Sequence, residues 1–338
     1  MNDIYLTIFF LILNIILWKN LNYITKIFDV YDIPNKKLKL HDNKVSLISG
    51  FYIFLSVLLF FFLSKLEFFS LKNIILDDYK IIIFITTIFI IGYMDDKKGI
   101  NPLLRLFLFT IVFTVFLISS EEHIIKEVNF INYKIQFNTN FNIFFTIFCF
   151  LVYLNALNFF DGINLQAGLH CILILFILFV KSNFNLEIYI IVIFYLFFLY
   201  YNWNNLAFLG NSGTYISAII ISLFFINFSQ QKIITATEIF VLMSLPGIDM
   251  IRLVIVRIYK NKNPFKGDLN HLHHLAKKKI GLFKTNMIII FSQVINYLIY
   301  IIFFNDYLSF FTSVLIYIVL YTFFINDKNL IKKNYKNL

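Results

Sequence analysis

Five short polar segments interrupt an otherwise apolar chain, and their side chains are of types that bind phosphate and metal ions. Carboxylate and amide oxygens suit Mg²⁺, which prefers oxygen ligands and substrate phosphates. Lysine and imidazole groups donate hydrogen bonds and positive charge to phosphate. The segments are YDIPNKKLKLHDNKVSLISG (31–50), GYMDDKKG (92–99), NALNFFDGIN (155–164), NWNNLAFLGNSG (202–213) and NPFKGDLNHLHH (263–274). Together they suggest one site for a phosphorylated substrate.

The acidic pair in the second segment ends an apolar run. Asp95 and Asp96 follow IIIFITTIFIIGYM, and adjacent carboxylates repel each other unless a cation or hydrogen-bond donors lie nearby. An ordinary polar end to a membrane span, helped by Lys97 and Lys98, explains the pair equally well.

The third segment places a polar residue at every third position, from Asn155 through Asn158 and Asp161 to Asn164. Neighbouring members share a helix face, and Gly162 favours an end of the helix at this point. Hydrogen bonding between helices is the alternative, because asparagine does this in bilayers. The carboxylate at the same end favours a binding site.

The last two segments give weaker signals when each is taken alone. The turn FLGNSGT (208–214) can point backbone N–H groups at an anion. His271 and His274 are three residues apart and should face one way, whereas His273 should point elsewhere. Zinc is disfavoured because no cysteine and no zincin spacing lie nearby. Anionic lipid is an alternative ligand for this basic loop, but its grouping with the other segments favours a phosphate or nucleotide.

The rest of the chain predicts an all-α, polytopic integral membrane protein. Of its 338 residues 60% are hydrophobic and only 14% charged, whereas soluble domains carry about 25% charged residues. The apolar runs predict about eleven (10–11) transmembrane helices, at 4–25, 47–64, 80–94, 103–119, 141–157, 165–181, 186–203, 213–228, 237–256, 286–304 and 307–325. No soluble domain interrupts them, so we expect a single membrane-embedded domain over 1–338, with the first run retained as a span.

Positive charge predicts the orientation of these spans. Most of the 29 Lys and Arg residues lie in alternate connections, beginning with 26–46, and the positive-inside rule places these connections in the cytoplasm. The N-terminus is then outside and the C-terminus inside. All five polar segments fall on the cytoplasmic side, which predicts one shared site there. The outer connection 120–140 alternates in part and is expected to form a hairpin.

In order and spacing, the motifs resemble those of the polyprenyl-phosphate N-acetylhexosamine-1-phosphate transferases, the WecA/MraY-like family. GYMDDKKG is similar to the family's helix-ending Asp-Asp, NALNFFDGIN to N-A-x-N-x-x-D-G, and FLGNSG to F-x-G-D-S-G. DIPNKKLKLHDNKVSLISG resembles its first cytoplasmic motif, and LPGIDMIRL its P-x-x-D segment. NPFKGDLNHLHH resembles its histidine loop in the WecA-like form. The resemblance covers nearly the whole chain.

The resemblance implies transfer of N-acetylhexosamine-1-phosphate from a UDP-sugar to polyprenyl (undecaprenyl) phosphate, with release of UMP. The reaction would take place at the bacterial cytoplasmic (inner) membrane and would initiate a lipid-linked cell-surface polysaccharide. The implied cofactor is Mg²⁺, with Mn²⁺ as a substitute. The implied partners are UDP-N-acetylhexosamine, polyprenyl phosphate and membrane lipid, without nucleic acid, and dimers are common in the family. Both the sugar and the downstream polymer (O-antigen, another surface polysaccharide or a wall polymer) stay open.

The resemblance also implies roles for individual residues. Asp95 is the implied base or acceptor-orienting group, with Asp96 beside it as a second catalytic carboxylate. Asp161 is implied to be catalytic and, together with Asn211, to hold the metal. The implied substrate-binding residues are Lys44, Asn158, Gly162, Asn164, Phe208 (stacked on uracil), His271, His273 and His274.

Four positions depart from the family pattern. Asn211 stands where the family usually has a metal-binding Asp, and a neutral amide oxygen binds Mg²⁺ more weakly than a carboxylate. Asn164 replaces an Asp of many members, while Ser46 and Ser49 replace a Pro and a Gly. One alternative is therefore an impaired relative that binds lipid phosphate or a partner without turnover. The other is a transporter, which the lack of an internal repeat disfavours.

Overall fold

A computed structural model describes residues 2–34, 43–66, 75–264 and 268–325. Within these ranges the chain forms thirteen α-helices and two short two-stranded sheets. The helices are α1 (Asn2–Lys19), α2 (Leu21–Phe28), α3 (Ser49–Ser64), α4 (Tyr79–Lys98), α5 (Pro102–Ser119), α6 (Thr139–Phe160), α7 (Gln166–Lys181), α8 (Leu186–Trp203), α9 (Gly210–Gln230), α10 (Ala236–Tyr259), α11 (Leu272–Ile280), α12 (Leu282–Phe303) and α13 (Asp306–Ile325). The strands are β1 (Tyr31–Asp32), β2 (Val45–Ser46), β3 (Glu127–Asn129) and β4 (Lys134–Gln136).

The all-α membrane architecture predicted from the apolar runs is confirmed. Every predicted run contains a helix, and seven of the described helices are long and apolar enough to cross a membrane. Helices α3 and α7 are apolar but shorter. The charged residues at both ends of α4 explain why its apolar part is short. The number of spans and their orientation stay predictions.

The first run departs from its prediction as one continuous helix over 4–25. The helix ends at Lys19, and α2 leaves α1 at an angle of 70°. Asn20 lies between them with φ −96° and ψ 19°, outside the helical range, and its side chain donates to the carbonyl of Ile16. Asparagine favours such breaks because its side chain competes for backbone hydrogen bonds.

The hairpin expected within 120–140 is confirmed by the paired strands β3 and β4. The N–H of Phe130 donates to the carbonyl of Tyr133 at 2.9 Å, which closes the turn between the strands. At the open end, the N–H of Phe137 donates to the carbonyl of Lys126 at 3.1 Å.

The chain divides into two compact units. The first comprises Met1–Val128 and Ile135–Ile234, and the second comprises Asn129–Lys134 and Thr235–Leu338. The expectation of a single functional domain over 1–338 stays a prediction, and each unit is described by itself below.

Helix α9 forms the core of the first unit, and 16 of its 21 residues are buried. Its sequence is apolar or small on every side, as expected for a helix that is packed all round. It packs against α3, α4 and α6. Gly92 of α4 permits this close approach, because a Cβ at that position would lie 2.5 Å from the Cα of Ser212.

The second unit consists mainly of α10, α12 and α13, which pack against one another, with α11 against α12 and α13. A buried polar group lies at the centre of the three long helices. Asn296 of α12 donates to Ser244 Oγ of α10 at 3.2 Å and to Ser313 Oγ of α13 at 2.9 Å. Such amide bonds between helices satisfy groups that would otherwise be costly in an apolar core.

Candidate active site

Asp95 lies near the C-terminal end of α4, and protein groups donate hydrogen bonds to both of its carboxylate oxygens. Its Oδ2 accepts hydrogen bonds from Arg105 Nη1 at 3.0 Å and from the Tyr215 hydroxyl at 2.9 Å. Its Oδ1 accepts the backbone N–H of Ile100 at 2.7 Å. Both Asp95 and Arg105 are buried, with 6% and 9% of their surface exposed. Because a buried carboxylate needs such partners, this ion pair ties α4 to α5 and α9.

Asp96 caps the N-terminal end of α9. Its Oδ1 accepts the backbone N–H of Asn211 at 2.7 Å, and its Oδ2 accepts the backbone N–H and the hydroxyl of Ser212 at 2.9 and 2.7 Å. A negative charge is favourable there because the helix dipole is positive at its N-terminus. Gly210 is needed beside it: its φ is +71°, and an added Cβ would lie 3.0 Å from the carboxylate. The glycine turn therefore does point N–H groups at an anion, and the anion is Asp96.

The side chain of Asn211 is bonded to the end of α6. Asn158 Nδ2 donates to Asn211 Oδ1 at 2.8 Å and to Thr214 Oγ1 at 3.2 Å. Asn158 is thus one partner of the residue at the predicted metal position. The two asparagines were singled out separately in the sequence, and the structure brings them into direct contact.

Asp161 follows the last residue of α6, and among the described residues no donor bonds to its carboxylate. Burial, together with the nearby carboxylates of Asp96 and Asp32, raises the pKa of this carboxyl to about 7. This part of the first unit therefore concentrates negative charge around a carboxylate with unused acceptor oxygens.

A divalent cation fits the donor set at this position. Mg²⁺ binds one or two protein carboxylates and completes its shell with water and substrate phosphates, and it would relieve the repulsion that raises the pKa of Asp161. Asp161 and the amide oxygen of Asn211 are the groups that could hold it. The neutral amide makes this donor set weaker than a pair of carboxylates.

Asn164 connects two of the polar segments. Its Nδ2 donates to the carbonyl of Asn202 at 2.6 Å and to Asn205 Oδ1 at 2.8 Å. Asn202 in turn accepts the N–H of Leu165 at 2.5 Å. The connection after α6 and the connection after α8 are thereby fixed to each other. Gly162 lies exposed within the first of these connections.

Lys44 and Phe208 lie on two backbone segments that pair. Phe208 N–H donates to the carbonyl of Ser46 at 2.8 Å, and Ser46 N–H donates to the carbonyl of Leu206 at 3.4 Å. Lys44 is exposed and directly precedes strand β2. The first polar segment is thus joined to the segment that carries Asn211, and the first unit brings together four of the five segments.

The three histidines lie together in the second unit. The ring centroids of His271 and His273 are 5.2 Å apart, and those of His273 and His274 are 4.5 Å apart. The expectation that His273 points away from the other two is wrong. The reason is that α11 begins only at Leu272, so His271 has extended backbone angles and does not follow helical spacing.

The charges of the histidine cluster are controlled by its surroundings. Burial lowers the pKa of His274 to about 4, and the neighbouring His271 and Lys277 contribute to this shift. Burial also lowers the pKa of His273 well below its ordinary value, aided by its two neighbouring imidazoles. Both rings are therefore neutral at pH 7.

Sequence reasoning did not assign a role to three ionisable groups that the structure places beside the predicted residues. Arg105 pairs with Asp95, while Asp249 and Arg252 of α10 pair with each other at 2.8 Å beside the histidines. Each lies within a predicted apolar run, where an ionisable residue is rare and marks a functional site. That signal was present in LPGIDMIRL and in the run at 103–119.

The apolar helices and the phosphate- and cation-compatible groups suit a membrane-bound transferase of phosphorylated substrates, and comparison with known proteins supports this class. Residues 79–229 match the family model described as Glycosyl transferase family 4. The chain is 26% identical over 289 residues to the undecaprenyl-phosphate alpha-N-acetylglucosaminyl 1-phosphate transferase of Thermotoga maritima, covering 85% of this chain and 87% of that protein.

These matches support the particular family that the motifs resemble. The chain is similar to members of the polyprenyl-phosphate N-acetylhexosamine-1-phosphate transferases. Apart from residues 129–134, the matched region 79–229 lies in the first unit, and it includes Asp95, Asp96, Asp161 and Asn211.

Proposed function

We propose that this protein transfers an N-acetylhexosamine 1-phosphate group from a UDP-sugar to polyprenyl (undecaprenyl) phosphate at the bacterial cytoplasmic membrane. The observation that carries the proposal is the group of carboxylates around Asp161, which lies beside the capped N-terminus of α9. The T. maritima relative is named for a reaction of this type. The lipid-linked product would initiate a cell-surface polysaccharide.

The reaction replaces one phosphate–oxygen bond by another. A phosphate oxygen of the lipid attacks the β-phosphorus of the UDP-sugar, the bond from that phosphorus to the bridging oxygen breaks, and UMP leaves with this oxygen. A phosphomonoester has a second pKa of about 6, so the attacking oxygen is already largely ionised at pH 7. Catalysis can therefore come mainly from alignment of the reactants and neutralisation of their charge.

The hydrogen bonds of the first unit suggest how its residues divide these tasks. Asp161 and Asn211 would hold Mg²⁺, which supplies positive charge to the diphosphate when it is bound. Asp96 positions Asn211 through the backbone N–H, and Asn158 orients its side-chain oxygen. Of the two roles implied for Asp95, the ion pair with Arg105 and its two further hydrogen bonds favour orientation of the acceptor over proton abstraction.

The remaining residues are assigned to the nucleotide sugar on the strength of the family resemblance. Lys44 offers a cation, and the three histidines offer imidazole hydrogen-bond donors, that suit phosphate oxygens. Phe208 offers an aromatic face that suits uracil, and Gly162 and Asn164 would lie near the nucleotide.

The substrate class is tested with purified protein in liposomes that contain undecaprenyl phosphate. A panel of labelled UDP-N-acetylhexosamines is supplied with MgCl₂, with MnCl₂ or with a chelator. We expect label to enter the lipid fraction from at least one donor, and to stop entering it when the metal is removed. If no donor labels the lipid although the protein binds undecaprenyl phosphate, the protein is the impaired relative.

The metal position is tested by Asn211→Asp, which restores a carboxylate while leaving the backbone N–H to Asp96 in place. We expect the Mg²⁺ concentration for half-maximal transfer to fall by about tenfold, because a charged oxygen binds Mg²⁺ more tightly than an amide oxygen. Asn155→Asp is the matched control. It adds the same charge on α6, about one turn before Asn158, which is the partner of Asn211. An equal effect of both substitutions would show that general charge, and not ligation, is responsible.

A further inference from the structure

We propose that Asp249 is a positioning residue that holds the imidazole of His271 with a hydrogen on Nδ1, so that Nε2 is the nitrogen that meets the phosphate oxygens of the donor. The inference rests on the proposed function for the identity of the ligand. The arrangement of the two side chains does not depend on it.

The contact between the two side chains is direct and buried. Asp249 Oδ2 lies 3.1 Å from His271 Nδ1, and the residues expose only 2% and 5% of their surface. A carboxylate accepts hydrogen bonds but has none to donate, so Nδ1 must carry the hydrogen of this bond. In a neutral imidazole the lone pair then lies on Nε2. When the ring takes up a proton from water, Nε2–H becomes the group that donates a hydrogen bond to a phosphate oxygen.

Three hydrogen-bond donors contact the other oxygen of the Asp249 carboxylate and fix the orientation of this side chain. Asp249 Oδ1 accepts Arg252 Nη2 at 2.8 Å, the Tyr317 hydroxyl at 2.7 Å and the backbone N–H of Leu272 at 3.2 Å. The Tyr317 oxygen itself accepts Arg252 Nε at 2.6 Å, so its own hydrogen is directed at the carboxylate. Rotation of Asp249 away from His271 would break all of these bonds.

A metal ion is the alternative explanation for this cluster. Ligand atoms of Asp249, His271 and His273 all lie within 4.8 Å of one another. However, the guanidinium of Arg252 already neutralises the carboxylate, and Lys277 adds positive charge beside the histidines. These cations oppose a metal, whereas they are compatible with an anionic donor.

The fixed position of Asp249 Oδ1 leads to a specific prediction for Asp249→Asn. Its three donors will retain the amide oxygen at the Oδ1 position, so the amide NH₂ will face His271. The amide NH₂ and an Nδ1–H group are both donors and cannot form a hydrogen bond with each other. His271 Nδ1 will therefore have to act as the acceptor, and the hydrogen of the ring will lie on Nε2. In serine proteases the same exchange beside the catalytic histidine gives the wrong tautomer and lowers kcat by about 10⁴-fold.

The test is nitrogen-15 NMR of full-length protein labelled at histidine, with the His271 signals identified from a His271→Gln variant. We expect Nδ1–H in the wild type and Nε2–H in Asp249→Asn. Asp268→Asn is the matched control, because that carboxylate pairs with Arg257 at 3.0 Å. Tyr317→Phe removes one donor and keeps the carboxylate. Both control variants should retain the hydrogen on Nδ1 of His271.

Kinetics provide the functional readout. Asp249→Asn should lower kcat for sugar-phosphate transfer by at least about 100-fold, the range of general acid–base and orienting groups, while Asp268→Asn and Tyr317→Phe should lower it much less. Nε2–H in the wild type would overturn the proposal, and so would stoichiometric zinc in the purified protein that is lost in Asp249→Asn. If the wild type transfers no sugar phosphate, the proposed function fails, and the NMR result still decides the role of Asp249.

Discussion

The carboxylate of Asp96 accepts the backbone N–H of Asn211 at 2.7 Å and so joins the end of α4 to the first turn of α9. Asn211 is the residue at the predicted metal position, and its amide oxygen is bonded to Asn158. The position of that oxygen is therefore set by residues from three helices. Changes that disturb this contact should affect both stability and transfer.

Replacement of Asp96 by Asn should show this coupling. An amide has one acceptor oxygen, so its NH₂ group will face one of the donors on α9. We expect a loss of about 1–3 kcal/mol in the free energy of unfolding and at least a tenfold lower transfer rate. Asp78→Asn is the control, because Asp78 caps α4 through Lys80 N–H and asparagine caps helices equally well. Thermal unfolding and initial rates measure both effects, and wild-type values for Asp96→Asn would contradict the assignment.

The buried ion pair of Arg105 with Asp95 should be costly to break. Arg105→Met leaves an unpaired carboxylate in an apolar environment, and we expect a destabilisation of about 3–5 kcal/mol. Lys65→Met removes a similar cation from the more exposed pair with Asp77, where 52% of the lysine side chain is accessible, and should cost less than about 1 kcal/mol. The comparison uses unfolding midpoints in one detergent. Equal losses for the two variants would exclude a special role for Arg105.

The close approach of α4 and α9 should depend on Gly92. An alanine Cβ would lie 2.5 Å from the Cα of Ser212, so the helices must move apart. We expect Gly92→Ala to destabilise the protein by about 1–3 kcal/mol or more and to reduce transfer.

Gly247→Ala is the control for this substitution. Gly247 lies inside α10, and a Cβ there would meet no atom within 4 Å. It should leave stability unchanged or raise it by up to about 1 kcal/mol. Size-exclusion profiles after heating can compare the two variants, and a harmless Gly92→Ala would show that the helices are less tightly packed than the structure indicates.

The free energy of unfolding should decrease at acidic pH, and protonation of His274 should contribute to this decrease. Its pKa is about 4 in the folded protein and 6.5 ordinarily, so the unfolded chain binds more protons between these values. The contribution of the neutral ring is complete above pH 6.5 and is lost as the pH falls towards 4, by up to about 3 kcal/mol. His274→Gln should therefore lose less stability between pH 7 and pH 5 than the wild type does. An equal loss of stability in the wild type and in His274→Gln between the two pH values would count against a neutral, half-buried His274.

The helices could be located from the sequence because apolar runs in this chain are long and are separated by polar segments. Every run contains a helix, since a long apolar segment in a bilayer must satisfy its backbone hydrogen bonds within itself. The break at Asn20 was not predicted, because a single asparagine within an apolar run is also compatible with a continuous helix. The conformation of Asn20 depends on the last turn of α1, to which its side chain is bonded.

The candidate residues could be listed from the sequence, but their partners could not. Asp95 and Tyr215 are 120 positions apart, and the bond between them depends on how α4 packs on α9. No local pattern encodes such a contact. The grouping of His273 with His271 was missed for a related reason, because the start of α11 decides where His271 points.

The identity of the nucleotide product tests the central claim most directly. Purified protein in liposomes is supplied with undecaprenyl phosphate and the best UDP-sugar donor, and both products are analysed by mass spectrometry. The proposed chemistry predicts UMP in equal amount to a lipid that carries a diphosphate and one N-acetylhexosamine. UDP together with a lipid monophosphate sugar would contradict it, because the β-phosphate would then have stayed with the nucleotide.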